Sequence, residues 1–307
     1  MQKRLLLLLI LVLPLLANAQ RNKRYRWEVG VDLGAANFLG DLGGANQIGT
    51  HFVKDLELSL TRTAFGIHGR YRLNRYIGFR SEFFYGKVNG NDALTQERYR
   101  HNRNLNFKSN IFELSGVFEF YLSKERPGHI YNYKKLKGWR HIDAQEYLFI
   151  GVGGFYFNPK GERYGQWYEL RPLRTEGEGL KPDTKMYSRF CVCIPMGFGF
   201  KYAINRRWSV GLDYGLRLTF TDYIDDCSTV YADPSLFTAN MDPNTAALAT
   251  YFANPGGHDI TASTNGGVDP TWTDQQRGQS KYTDAYMFLS VTVNYKIGKF
   301  RKTHSKF

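Results

Sequence analysis

The chain contains repeated stretches of about ten residues in which apolar and polar side chains alternate. The clearest is Phe107–Leu122, where apolar residues at every second position from Phe112 alternate with Glu113, Ser115 and Glu119. Successive side chains of a strand point to opposite faces of a sheet, whereas helical spacing would place these glutamates on faces that also carry Phe. The alternation therefore predicts strands with one apolar face and one polar face.

Eight stretches carry this alternation or a glycine-rich variant of it. They are Trp27–Ala35, Phe65–Leu73, Tyr76–Lys87, Phe107–Leu122, Tyr147–Phe157, Arg189–Ala203, Trp208–Thr219 and Ala285–Ile297. The sequence thus predicts an all-β fold, a transmembrane antiparallel up-and-down β-barrel of 8 strands with long extracellular loops. A barrel of 10 strands stays open as an alternative, with an extra hairpin at Leu56–Thr61 or after Asp222.

The N-terminal residues have the organisation of a secretory signal peptide. Two basic residues precede the apolar run Leu5–Leu16, and Ala17-Asn18-Ala19 fits the pattern for cleavage after Ala19. The run is too short for a membrane-spanning helix, which needs about 20 residues. We therefore expect residues 1–19 to be removed and residues 20–307 to form the barrel domain, with a basic tail from about residue 298.

Composition agrees with a barrel. The mean hydropathy of −0.44 suits a membrane protein in which only alternate strand residues face lipid. An eight-strand barrel is just wide enough inside to be filled by its own side chains. Charges predicted to face inward would pair and close the lumen, so an open porin is not expected: Arg70, Arg72, Arg80, Glu82, Glu113 and Glu119.

The connections between strands are of two kinds. Tyr71–Tyr76 and Tyr202–Trp208 are predicted to be tight periplasmic turns, in which Asn tolerates left-handed backbone. Ser123–Gln145 is also periplasmic by the strand count, but its length indicates either a specialised periplasmic element or a different number of strands. The remaining connections are long and predicted to face outward, with irregular structure over Pro234–Gly278: Phe38–Thr63, Asn89–Asn106, Pro159–Tyr187 and Thr221–Tyr282.

Basic and acidic residues are also distributed unevenly between the predicted periplasmic and outer ends of the barrel. The periplasmic segments are basic and are candidates for docking an acidic periplasmic partner or lipid phosphates, unless they are only solvated. The candidates are Lys124, Arg126, Lys134, Lys135, Lys137, Arg140, Lys299, Arg301 and Lys302. The last outer loop is acidic, with Arg277 as its one basic residue between Thr221 and Ser280. Its candidate contact residues are Asp222, Tyr223, Asp225 and Asp226.

No cofactor, metal site or enzyme activity is predicted. Cys191 and Cys193 lie on one face of a strand, and no disulfide is well supported. A water-activating pair of Asp225 and His258 would have to be held within one loop, where no facing strands fix its geometry. The aspartates of that loop lack the spacing of a calcium loop.

Five segments, spread in order over nearly the whole chain, carry a resemblance to a known family: Val29–Leu42, Asp55–Gly66, Arg103–Glu113, Trp167–Gly179 and Leu218–Asp233. They resemble the small outer-membrane barrels of the PorG type, which are associated with the type IX secretion system. The resemblance implies association with the periplasmic ring of that machine, formed by a lipoprotein and a partner protein. We therefore expect a non-enzymatic barrel in the bacterial outer membrane that anchors or organises the ring.

A second interpretation is a stand-alone surface barrel for adhesion or for contact with lipopolysaccharide. It predicts that the acidic outer loop carries the activity and that the basic periplasmic connection is dispensable. Outer-membrane lipid and lipopolysaccharide are partners under both interpretations. Nucleic acid is not, because a secreted barrel does not meet it.

Overall fold

The computed structural model describes residues 26–42, 60–95, 98–125, 144–182, 184–257 and 276–298. The predicted signal peptide, with its cleavage after Ala19, and the tail beyond residue 298 lie outside these ranges. The described strands are β1 (Trp27–Leu39), β2 (Arg62–Arg72), β3 (Ile77–Asn91), β4 (Asn106–Tyr121), β5 (Ala144–Tyr156), β6 (Pro159–Arg163), β7 (Gln166–Glu169), β8 (Phe190–Ala203), β9 (Trp208–Thr219) and β10 (Ala285–Ile297).

Eight of these strands form a closed antiparallel barrel. They pair in the order β3-β2-β1-β10-β9-β8-β5-β4, and β3 also pairs with β4, so the ring has no open edge. Following directly opposed residues once round the ring leads from Trp27 back to Asn37 on the same strand, a stagger of ten residues. Such a stagger tilts the strands against the barrel axis. The predicted up-and-down barrel of eight strands is confirmed.

The other two strands, β6 and β7, form a hairpin beyond the barrel wall. β6 pairs with the outer end of β4 through Lys108 and Ser109, and β7 pairs with β6. The ten-strand barrel is therefore wrong, because the extra hairpin extends one wall instead of joining the ring. Of the two places predicted for the extra hairpin, the segment after Asp222 contains helices. Most of the other, Leu56–Thr61, lies outside the described residues.

The outward face of the barrel is an apolar belt. On β1, the large side chains of Trp27, Val29, Val31 and Leu33 are 57%, 44%, 56% and 60% exposed. A closed sheet with such a belt pairs the backbone groups of its strands without water, as lipid requires. The chain is a bacterial outer-membrane β-barrel, whose short turns face the periplasm and whose long loops face outward.

The inward face is filled by charged side chains that pair with one another. Arg70 contacts Glu28 at 3.1 Å and Glu119 at 2.7 Å. Arg80 contacts Glu119 at 3.3 Å and also pairs with Asp213. All five side chains are nearly inaccessible to solvent. The predicted pairing of lumenal charges is confirmed.

Further ion pairs continue this network towards both ends of the lumen. Arg217 reaches Glu113 at 3.2 Å and Glu82 at 3.5 Å on the outer side. Lys201 reaches Glu28 at 2.9 Å on the periplasmic side. The described lumen is thus occupied by protein side chains and is not shaped as a water-filled pore.

The two short periplasmic turns are built in the same way. The side chain of Asn74 accepts hydrogen bonds from the backbone N–H groups of Tyr76 and Ile77 at 2.7 and 2.8 Å. Asn205 accepts from the N–H groups two and three residues further on, at 2.8 and 2.9 Å. The sequence predicts both turns, but asparagine serves them in a different way from the left-handed backbone that we expected. Neither asparagine has a positive φ, so each acts as a hydrogen-bond acceptor.

Replacing Arg70 with Met should destabilise the barrel by about 3–5 kcal/mol, because the buried carboxylates Glu28 and Glu119 would each lose one of their cations. Arg75→Met is the matched control, since Arg75 is exposed in a periplasmic turn. The measurement is urea-induced unfolding in lipid vesicles, followed by tryptophan fluorescence. Equal free energies of unfolding for the two variants would contradict the structural role of the lumenal network.

Candidate functional site

The described parts of four loops close the outer end of the barrel. Loop 1 spans residues 40–61, loop 2 residues 92–105, loop 3 residues 157–189 and loop 4 residues 220–284. Loop 3 contains the β6–β7 hairpin. Three α-helices lie in the described parts of the other loops: α1 (Arg98–Arg103) in loop 2, and α2 (Pro234–Asn240) and α3 (Pro243–Ala253) in loop 4. The described parts of these loops together form the extracellular cap.

The helices of loop 4 begin at two aspartate-proline pairs. Asp233 caps α2 and Asp242 caps α3, each accepting hydrogen bonds from first-turn backbone N–H groups at 2.8–3.1 Å. An acidic N-cap followed by Pro at the first helical position is a strong start signal. The prediction of irregular structure over Pro234–Gly278 is therefore wrong for 234–253. No helix in the described part of the chain is long and apolar enough to cross a membrane.

One apolar core joins the cap to the barrel. Phe84 and Phe288, on the inner faces of β3 and β10, stack with their ring centroids 4.6 Å apart. The same buried cluster continues through Phe155 and Phe157 to Phe252 on α3. Because this core passes from the lumen into the loops without a break, the described loops are packed as part of the barrel.

Arg103, at the end of α1, ties loops 1, 2 and 4 together. Its guanidinium donates to both carboxylate oxygens of Asp92 at 2.7 and 3.0 Å. It also donates to the carbonyl oxygens of Asp41 at 2.9 Å and Arg277 at 2.6 Å. A bidentate carboxylate and two carbonyl acceptors satisfy this buried cation without water.

Arg277 links loops 3 and 4 in a similar way. It donates to Glu176 at 3.0 Å and to the carbonyl oxygens of Asp226 and Ala253. Ala253 is the last residue of α3, where the helix dipole favours a cation. Glu176 in turn accepts from two consecutive backbone N–H groups of loop 4, at 2.8 and 3.0 Å. Each loop therefore supplies the partner that neutralises a buried charge of the other.

Two of the predicted loop contacts are buried in this network. Asp226 accepts hydrogen bonds from Thr175 at 2.5 Å and from Tyr187 at 2.6 Å, both in loop 3. Asp225 accepts from the backbone N–H of Leu42 in loop 1 at 3.1 Å. Both aspartates are at most 2% exposed. The structure thus uses them inside the cap and does not present them to a surface partner.

The other two predicted contacts are less completely enclosed. Tyr223 is half-buried, and its ring stacks on that of Tyr187 with centroids 4.6 Å apart. Asp222 is 9% exposed, and one of its carboxylate oxygens has no hydrogen-bond partner among the described residues. These two residues lie at the edge of the buried network.

Asp222 belongs to a cluster of carboxylates from loops 1 and 4 that also includes Asp41, Asp225 and Asp284. Burial, and then the neighbouring charge of Asp41, raises the pKa of Asp222 to about 8. Burial and neighbouring carboxylates also raise the pKa of Asp225 and of Asp284 well above the ordinary value. Near neutral pH the cluster therefore retains protons, and the cap is less negative than the sequence of loop 4 suggests.

The thiols of the chain are packed inside the protein or half-buried. All three cysteines are free, and Cys227 donates through Sγ to the carbonyl oxygen of Arg277 at 3.2 Å. Burial raises the pKa of the Cys227 thiol, which disfavours the nucleophilic thiolate. In the described ranges, no three His, Cys, Asp or Glu side chains are grouped to hold a metal ion. His258 lies outside those ranges.

One of the predicted docking residues is described at the periplasmic end of the barrel. Lys124 is exposed just beyond β4. Its neighbour Glu125 pairs with Lys296 and reaches Arg72 at 3.6 Å, so opposite charges also meet at the periplasmic mouth of the lumen. The other candidates lie outside the described residues, and docking there stays a prediction: Arg126, Lys134, Lys135, Lys137, Arg140, Lys299, Arg301 and Lys302.

Sequence reasoning did not identify the two arginines that hold the cap. Arg277 does give a signal, because it is the one basic residue in a long acidic segment. An isolated cation among carboxylates is suited to a buried ion pair. Arg103 gives no comparable signal, since it lies in a run of basic residues that reads as a solvated helix.

A family model described as a domain of unknown function (DUF6089) matches residues 2–132. Within the described part of the chain, this match includes β1 to β4 and the cap residues Asp41, Asp92 and Arg103. No curated protein matches the sequence.

The solved structures that are similar to this chain include three outer-membrane proteins. Ail, the attachment invasion locus protein of Yersinia pestis, in complex with the heparin analogue sucrose octasulfate, is 9% identical, with 89% of this chain and 99% of that chain covered and a TM-score of 0.35. Neisserial surface protein A is 9% identical, with 88% and 97% covered and a TM-score of 0.35. The outer membrane protein OprG from Pseudomonas aeruginosa is 9% identical, with 90% and 98% covered and a TM-score of 0.33. Likenesses this distant carry no functional argument, and the fold assignment rests on the strand pairing.

Replacing Arg103 with Met should loosen the cap while leaving the barrel folded. Asp92 would keep a buried charge without its bidentate partner, a loss of about 3 kcal/mol that speeds local opening on the order of a hundredfold. Hydrogen exchange followed by mass spectrometry should show this in loops 1, 2 and 4 and not in the strands. Lys185→Met, at an exposed position of loop 3, is the control. Unchanged exchange in loop 2 would rule out the tie formed by Arg103.

The cap should lose stability as the pH rises from about 4 to about 8. Folded Asp222 keeps its proton until about pH 8, whereas an unfolded aspartate releases it near pH 4. Over this window the folded state binds more protons, so raising the pH favours the unfolded state. Asp222→Asn cannot ionise and should keep the cap resistant to proteinase K at pH 9 as well as at pH 5.

Asp242→Asn is the control for this experiment, because Asp242 is exposed and Asn preserves its capping role. Cleavage rates are corrected with an unfolded substrate at each pH. A wild-type cap equally resistant at both pH values would show that protonation of the carboxylate cluster does not stabilise it.

Proposed function

We propose that this protein is a non-enzymatic outer-membrane barrel that anchors or organises the periplasmic ring of a type IX protein secretion machine. Its partners would be the lipoprotein of that ring and the partner protein of the lipoprotein. The proposal starts from the sequence resemblance to PorG-type barrels and is supported by where the matching segments lie in the fold.

The matching segments converge on the buried network of the cap, and this is the observation that carries the proposal. Four of the five supply residues at its centre: Asp41 from Val29–Leu42, Arg103 from Arg103–Glu113, Glu176 from Trp167–Gly179, and Asp225 and Asp226 from Leu218–Asp233. Residues far apart in sequence contact one another here. The resemblance to PorG-type barrels therefore covers residues of one specific arrangement of loops. It goes further than the alternation of apolar and polar residues that all barrels share.

The filled lumen supports an anchoring role over a transport role. Charged side chains pair from Glu125 at the periplasmic mouth, through Arg70 and Arg80, to Arg217 near the cap. A barrel of this width has no room for a folded or extended cargo chain beside such side chains. Basic periplasmic segments, beginning at Lys124, suit electrostatic contact with acidic proteins beneath the membrane.

The test is a mild-detergent pulldown of the tagged, full-length barrel with crosslinking and mass spectrometry. Reversing the charge of Lys134, Lys135, Lys137 and Arg140 to Glu should weaken co-purification of the ring proteins and make it more sensitive to salt. Lys185→Glu and Lys281→Glu, on the cap side, form the control. Co-purification that is unchanged by the reversal at every salt concentration would refute the anchor.

The alternative is a stand-alone surface barrel for adhesion or lipopolysaccharide contact. The ordered cap favours it, because loops fixed by a rigid scaffold present a defined binding surface. Deleting residues 258–275 tests this role while Arg277 and both helices of loop 4 stay in place. Loss of adhesion with normal secretion would support the alternative. Recovery of the barrel alone, under conditions in which the ring survives, would do the same.

A further inference from the structure

An aromatic row crosses one side of the barrel at its outer rim. Tyr85, Phe112, Tyr156 and Phe190 lie side by side on β3, β4, β5 and β8, with successive ring centroids 5.0, 6.4 and 4.9 Å apart. The four rings lie on the outward face of the barrel. Rows of this kind mark the level at which the hydrocarbon of a membrane meets water. The row therefore places the outer membrane interface on this wall.

A notch lies in the lipid-facing wall directly below the aromatic row. Gly154 occupies an outward position of β5 and is opposite Leu114 on β4 and Val192 on β8. A side chain at Gly154 would start in open space, because the nearest heavy atom to its Cβ position is 4.0 Å away. The open groove at this position has a volume of about 780 Å³ and is lined mainly by Phe83, Phe112, Leu114, Tyr156, Phe190 and Phe220.

A basic patch of Lys87, Lys108 and Lys160 lies on the other side of the row, towards the cap. Lys108 is directly opposite Lys160 in the ladder between β4 and β6, and Lys87 is a diagonal neighbour of Lys108 across β3 and β4. Like charges directly opposite on a sheet destabilise it. Along the strands, Lys87 lies about 7 Å and Lys108 about 13 Å beyond the aromatic row.

Nearby carboxylates compensate this patch only in part. Glu169 reaches Lys160 at 3.6 Å, but it also pairs at 2.7 Å with an arginine of loop 3. Glu162 attracts Lys108 from β6 without forming an ion pair with it. Lys87 and Lys108 have no ion pair within the described residues. The patch therefore has positive charge available for an external anion.

Trp167 on β7 holds Lys108 in place. The Nζ atom of Lys108 lies 3.5 Å from the centroid of the indole ring. A cation–π contact orients an ammonium group while leaving N–H donors on its other side. The β6–β7 hairpin, which extends the wall past the barrel, thus positions two of the three lysines.

We propose that the notch and the patch together bind one molecule of the anionic glycolipid of the outer leaflet. An acyl chain of its lipid A would fill the notch at Gly154, and a glucosamine phosphate would lie on Lys87 and Lys108. The apolar notch and the basic patch are on opposite sides of the interfacial row, as are the acyl chains and phosphates of that lipid. A free polyanion would leave the notch unused. The site does not depend on the proposed role in secretion.

The test uses the full-length barrel in detergent micelles, with native mass spectrometry to measure the binding of bisphosphorylated lipid A. Each lysine near a lipid phosphate contributes about fivefold in affinity, so K87Q/K108Q should bind lipid A about tenfold or more weakly. K87R/K108R should retain binding. Gly154→Leu, which fills the notch without touching the lysines, should also weaken binding. K124Q/K185Q removes two exposed lysines elsewhere and should have no effect.

All variants are first checked for the compact folded band on unheated gels, so that lost binding is not lost folding. Unchanged affinity of K87Q/K108Q would overturn the proposal, and so would unchanged affinity of Gly154→Leu. Phosphatidylglycerol competing as well as lipid A would overturn the assignment to a glycolipid, because the site would then bind any anionic lipid. Weak phosphatidylglycerol competition together with both losses would support it.

Discussion

Closure of the sheet is the constraint from which the rest of this structure follows. Lipid offers no hydrogen bonds, so β1 must pair with β10 and β3 with β4. Eight strands with a stagger of ten residues make a ring too narrow for bulk water. The charged side chains on the inner face must then find partners in the lumen. The ion pairs of Arg70 and Arg80 are therefore a requirement of the barrel geometry, and the same requirement removes the pore.

The barrel was predictable from the sequence because the direction of each side chain depends only on its position within its own strand. One residue of each strand faces lipid and the next faces the lumen, so Val29 and Val31 alternate with Glu28 and Asp32 in the printed sequence as they do in space. Strand number and the inward direction of the charges both follow from this rule. Which charges pair inside the lumen does not follow from it, because Arg70 comes close to Glu119 only through the register of several strands.

The cap was not predictable to the same degree, because its contacts join residues that are far apart in the sequence. Arg103, Glu176 and Arg277 lie in three different loops, and no periodicity in the sequence brings them together. The aspartates of loop 4 look solvated when the loop is considered alone, yet Asp225 and Asp226 are enclosed by loops 1 and 3. Local signals did exist for the helices: an aspartate followed by proline starts both α2 and α3. The density of Asn, Gly and Thr around them obscured those starts.

The pairing of β1 with β10 also has a consequence for the order of events during biogenesis. Trp27 lies opposite Ile297, so the ring is completed by the contact with the greatest separation along the chain. Closing so long a loop costs entropy before the contact forms, and the folding of such topologies is slow. A chain interrupted before β10 would keep two unpaired edges, which favour aggregation. The edges of the nascent protein therefore need protection until its last strand has been made.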